Sequence, residues 1–156
     1  MPAKKKNLDP VRAFLESAAD AKREAAQHRL HLRTLRDRAE NITAKYSAAP
    51  AGSHDPKSRD QLLALLAQES KIDDDLAIME DVQYREVESF IRRLPNARDR
   101  AVLTARYLKG VSEWADVQKE LRRMGIYYST RQAQRLHGKA LESARAQWAW
   151  EQWGGE

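Results

Sequence analysis

Residues suited to reading DNA crowd one short stretch: Arg131, Gln132, Gln134 and Arg135, with Gly138 and Lys139 just beyond. Arginine and glutamine fork two hydrogen bonds onto a purine edge in the major groove, while lysine and arginine neutralise phosphate. At helical spacing Arg131, Gln134, Arg135 and Gly138 share one face, and Ala133, Leu136 and Ala140 form the opposite, inward one. Gln132, His137 and Lys139 flank the polar face. This pattern makes Arg131, Gln132, Gln134 and Arg135 candidate base contacts. Lys109, Arg122, Arg123 and Lys139 are the candidate phosphate contacts.

Other chemistry is not indicated. The chain has no cysteine, so neither a disulfide nor a thiolate metal site can form. His28 and His31 are close enough on a helix to share a ligand, but no third ligand is evident. Asp73, Asp74 and Asp75 are consecutive, so on a helix they point in different directions and suit a solvated face better than a metal cage. No glycine-rich phosphate loop or nucleophile elbow occurs. The expectation is a protein with no catalytic residues, no metal and no cofactor.

The elements that must position the basic face are three short helices. Arg98 to Leu108 is expected first, ended by Lys109-Gly110, since glycine adopts the left-handed conformation of a helix C-terminus. Ser112 is the expected N-cap of a second helix, Glu113 to about Arg123, buried through Trp114, Val117 and Leu121 and stopped by Gly125. Ser129 and Gln132 make a capping-box pattern, opening a third helix over about 129–143. A short helix, a turn and a helix with base-reading groups near its N-terminus is the helix-turn-helix arrangement, here 96–145. Gly138 costs roughly 1 kcal/mol against alanine inside a helix and suggests close approach of a neighbouring backbone.

The segments RYLKGVSEW and RQAQRLHGKAL resemble the C-terminal part of small phage-encoded transcriptional regulators of the RinA and ArpU type, which are similar to region four of bacterial sigma factors. Arg106, Tyr107, Leu108, Gly110 and Ser112 carry the first part of the resemblance. Arg131, Gln132, Arg135, Leu136, His137, Gly138, Ala140 and Leu141 carry the second. It spans about a third of the chain and implies binding to promoter DNA, with contact to host RNA polymerase. Two features depart from the family pattern. Gln118 follows Val117 where alanine is usual, and the interval from Leu121 to Ser129 is longer, with RRMGIYY inserted. One of Tyr127 and Tyr128 is expected to plug the core.

Upstream, residues 1–8 read as a disordered basic tail. Asp9-Pro10 is a strong helix start, and small or apolar residues then recur at heptad spacing to Tyr46: Val11, Phe14, Ala18, Ala21, Ala25, His28, Leu32, Leu35, Ala39 and Ile42. A Ser/Ala/Pro/Gly loop near 47–57 precedes a second long helix, from about Ser58 to Arg93, closed by Leu94-Pro95. Its apolar positions include Leu62, Leu65, Leu66, Ile72, Leu76, Met79, Val82, Val87, Phe90 and Ile91. The fold class expected is all-α: a long antiparallel helical hairpin over 9–94, acting as a coiled-coil arm, followed by the helix-turn-helix and a tryptophan-rich tail at 146–156. Trp148, Trp150 and Trp153 are expected to pack on the arm or at a subunit contact.

Charge follows this division. Residues 1–45 carry 11 Lys/Arg against 6 Asp/Glu, residues 60–93 carry 4 against 9, and residues 96–147 carry 11 against 5. A basic excess on the proposed reading segment is the electrostatic footprint of a nucleic-acid binder. No apolar run is long enough to span a membrane and no signal peptide is apparent, so a bacterial cytoplasmic protein is expected. The reading is a sequence-specific phage or prophage regulator that binds double-stranded DNA as a homodimer through the arm. Two alternatives stay open: a small terminase-like DNA-packaging protein, and a helical adaptor that does not bind DNA.

Overall fold

The computed structural model describes residues 9–48 and 56–154, and among these every regular element is helical. The expected basic tail and most of the loop near 47–57 lie outside the described residues. Helix α1 spans Pro10–Ala48 and α2 spans Pro56–Arg92. Helix α3, Ala97–Leu103, continues into a π turn over Thr104–Leu108; α4 is Trp114–Arg123 and α5 is Thr130–Trp153. None of them is long and apolar enough to cross a membrane.

The chain divides into two compact units, and the boundary cuts across α1 and α2 instead of falling at the expected Leu94-Pro95 break. Unit 1 comprises residues up to Asp20 together with Val82 onward; unit 2 is Ala21–Asp81. The base of the hairpin therefore belongs with the three short helices, for a reason visible in the side chains. Val11, Leu15 and Ala18 of α1 and Val87, Phe90 and Ile91 of α2 are buried in one core with Val102, Leu103, Val117, Leu121, Ala133 and Ala140. Removing these segments would strip apolar surface from that core. Asp9 starts α1 as expected, its Oδ1 accepting from Val11 N at 3.1 Å, and its other oxygen is bound by Arg145 of α5.

Unit 2 is a two-helix pair. His28 of α1 meets Glu69 and Asp73 of α2, and Arg29 meets Glu80; Ser17, earlier on α1, meets Gln83, later on α2, so the helices run antiparallel. Ala25, Leu32 and Leu35 are buried as the heptad spacing predicts, while Leu62, Leu66 and Leu76 are half-buried. The apolar positions Leu65, Ile72 and Met79 face solvent instead of the seam. They lie one position off the alternating three- and four-residue steps that put Leu62, Leu66, Glu69, Asp73, Leu76 and Glu80 against α1.

The tail also departs from expectation. Residues 146–153 continue α5 as helix, and only one of its three tryptophans packs. Trp148 rests against Phe14 at 5.1 Å and Phe90 at 5.9 Å between ring centres. Trp150 and Trp153 are exposed, Trp153 almost fully at 90 %.

Candidate nucleic-acid interface

The candidate site sits on α5, and its start is built locally. Ser129 Oγ accepts from Gln132 N at 3.1 Å, and Gln132 Oε1 accepts from Ser129 N at 2.9 Å, the reciprocal capping box expected from the sequence. Gln132 is thus engaged in opening the helix through its acceptor atom, and only its amide nitrogen is free to face a ligand. Arg131, Gln134, Arg135 and Lys139 are exposed. Among the described residues none of the four has a side-chain hydrogen bond or ion pair. Behind them Ala133, Leu136, Ala140, Leu141 and Ala144 are buried, so the two faces separate as the periodicity predicts.

His137 does not flank that polar face. It is buried at 8 % exposure, its Nε2 2.9 Å from the Tyr107 hydroxyl and its ring 5.4 Å from that of Trp114. Burial and the nearby Arg106 hold its pKa down to about 4, so at neutral pH the imidazole is uncharged and shares a hydrogen bond with the Tyr107 hydroxyl whose direction follows the ring tautomer. Burial likewise pushes the Tyr107 phenol above its usual range. The reason is register: position 137 lies four residues after Ala133 and three before Ala140, both inward. That spacing was the available signal.

Helix α4 begins one residue later than expected. Its N-cap is Glu113, without a side-chain cap bond, not Ser112. Arg106 explains the difference: its guanidinium binds the Ser112 carbonyl and lies 4.5 Å over the Trp114 ring, fixing the chain in extended form ahead of the helix. The widened last turn of α3, closed by Lys109 N to Thr104 O at 3.0 Å, carries both Arg106 and Tyr107 into this cluster. Gly110 and Gly125 have φ of 68° and 85°, the left-handed turns that end α3 and α4.

The two departures from the family pattern are coupled. The long turn over 124–129 is held by Gln118, whose Nε2 donates to the Tyr128 carbonyl at 2.9 Å. Arg98 donates to the Tyr128 hydroxyl at 2.7 Å and lies over its ring. Tyr128 is therefore the half-buried member of the pair, and Tyr127, 77 % exposed, stands beside the start of α5.

The candidate phosphate contacts divide. Lys109 and Arg123 both bind Glu120, at 2.8 and 3.0 Å, and the Lys109 hydrogen bond holds that carboxylate below its usual pKa. Their charge is partly compensated. Arg122 and Lys139 are exposed, without an ion pair among the described residues. Gly138 is exposed on the arginine face, and a Cβ built there meets nothing within 4 Å. Among the described residues no other part of the chain lies within that distance, so the close approach that the glycine permits is not made there.

No family model, curated protein or solved structure matches this chain. Among the described residues no group of three or more His, Asp or Glu side chains is arranged to hold a metal ion.

Proposed function

We propose that this chain is a sequence-specific DNA-binding regulator of the phage type its sequence resembles, inserting the first half of α5 into the major groove. The observation that carries this reading is the exposed row Arg131, Gln134 and Arg135 on a firmly capped helix, free of internal partners among the described residues. Burial of the opposite face leaves these groups turned outward, which supports the reading. Base reading falls to these three side chains, with the Gln132 amide nitrogen as a subsidiary donor. Arg122 and Lys139 are the foremost phosphate contacts, and Lys109 and Arg123 contribute less while bound to Glu120. Contact with RNA polymerase is what the resemblance implies.

Selection of bound sequences from a random DNA pool, followed by gel-shift titration, tests the reading. Arg131→Ala and Arg135→Ala are each expected to weaken cognate binding by about 1–3 kcal/mol and to relax sequence preference. Arg122→Ala should weaken cognate and non-cognate DNA alike and flatten the salt dependence. Wild-type affinity in both base-contact variants would remove the assignment.

Gly138 supplies a second, independent prediction. A helix-interior glycine costs up to about 1 kcal/mol relative to alanine, and no protein group among the described residues occupies the space beside it. A DNA backbone passing close to this face would use the room that a side chain takes up. Gly138→Ala is expected to raise the unfolding midpoint while reducing DNA affinity, read by thermal melts and gel-shift on the same preparation. Higher stability with unchanged affinity would detach Gly138 from the interface.

A further inference from the structure

Unit 2 buries very little. Ala25, Leu32 and Leu35 are its only buried hydrophobic residues among those described, whereas Leu30, Leu63, Leu65, Ile72, Ile78 and Met79 are exposed. Two paired helices can cover only one stripe of each other, and the seam here is interrupted by His28, Glu69, Asp73 and Glu80. Such a pair gains little from its own packing.

Of the five exposed hydrophobic residues on α2 within this unit, three share one side, while Leu63 and Ile78 lie singly on the far side. Leu65, Ile72 and Met79 are 40 %, 38 % and 56 % exposed and recur every seven residues on α2. They therefore fall within about 40° of one another on the helix surface. Of the positions flanking the row, Gln61, Leu62, Gln68 and Leu76 are uncharged, Glu69 is paired with His28 and only Asp75 adds a further charge, whereas the far side carries Asp60, Lys71, Asp74 and Asp81. An apolar row with a charge-depleted margin is the composition of an interface core.

Charge selects the occupant. Over 21–48 the α1 segment carries 7 Lys/Arg against 3 Asp/Glu, and over 56–81 the α2 segment carries 3 against 7. A partner of one sign would be repelled by one of the two helices. A second copy of the same hairpin, turned about a twofold axis, lays the basic helix of each copy across the acidic helix of the other. We propose that the Leu65–Ile72–Met79 row is the contact through which two copies of this chain form a four-helix bundle. This identifies the face of the expected homodimer, and it does not rest on DNA binding.

Sedimentation equilibrium of the full chain, without DNA, tests it. The wild type is expected at twice the 17.9 kDa chain mass. Ile72→Glu combined with Met79→Glu should weaken association by about a hundredfold or more, with helical content kept by circular dichroism. Ile72→Ser, which adds no charge, should act in the same direction if the double variant loses helix. Ala67→Glu, on the opposite side of α2, should leave the dimer intact. A monomer at every concentration overturns the proposal, as does a larger ring. Equal dissociation by Ala67→Glu overturns the choice of face. Gel-shift of the Ile72 variants on a single half-site then reads DNA binding separately.

Discussion

Replacing Phe90 by alanine is expected to lower the unfolding free energy by about 3–5 kcal/mol, the range for truncating a buried aromatic side chain. Phe90 is 1 % exposed on α2. Its ring meets Phe14 of α1 edge-on at 5.5 Å and Trp148 of α5 at 5.9 Å, and Arg93 lies 5.7 Å over it. Edge-to-face pairs of this kind add about 0.5–1.5 kcal/mol beyond the buried area, which favours the upper part of the range. The site cannot collapse readily, because three helices converge on it and each is anchored elsewhere: Asp9 to Arg145, and Arg93 to Glu151. Urea unfolding followed by tryptophan fluorescence measures the effect, with an unchanged denaturant slope marking a loss of stability alone. A loss below about 1 kcal/mol would mean that the aromatic cluster does not tie the base of the hairpin to α5.

The second large effect is an acid-side loss of stability from His137. Its folded pKa of about 4 lies below the ordinary value of 6.5, so the unfolded chain takes up a proton that the folded chain refuses. The contribution is complete above pH 6.5 and is lost as pH falls from there toward 4. Allowing for solvent screening, the loss is on the order of 2 kcal/mol. Chemical denaturation of the wild type and of His137→Gln, between pH 7 and 4, checks it. Glutamine offers the Tyr107 hydroxyl an acceptor but does not titrate, so its profile should lack this limb; matching profiles would contradict the assignment. His28 of unit 2 works in the opposite sense. Hydrogen bonds donated to Glu69 and then Asp73 raise its pKa, so its contribution is complete below 6.5 and fades as pH rises past the raised value. The two are separable by following the His137 ring signal by NMR.

The long turn illustrates how far a linear reading reaches. Gln118 and the inserted RRMGIYY stretch stand out as two unrelated oddities along the chain, yet one side chain holds the other segment's carbonyl. The same limit applies to the basic residues. Lys109, Arg122, Arg123 and Lys139 are alike by composition, and only the position of Glu120 distinguishes the two that are bound from the two that are not. Of the three tail tryptophans, Trp148 alone meets Phe14 and Phe90, partners more than fifty residues away in sequence.

What the sequence determined by itself is whatever depends on neighbours within about one helical turn or on a repeated spacing. The Ser129–Gln132 capping box, the glycine stops at 110 and 125, the start of α1 at Asp9-Pro10, the all-helical class and the outward row of Arg131, Gln134 and Arg135 are of this kind. Their hydrogen bonds and periodicities are written in adjacent residues. Only the tertiary structure decided that α4 starts after Glu113, that Leu65, Ile72 and Met79 turn outward, and that the hairpin base joins the core of the C-terminal helices. Each of those depends on a group more than one helical turn away in sequence competing for the same carbonyl, ring or apolar surface, and such a competition has no signature in adjacent residues.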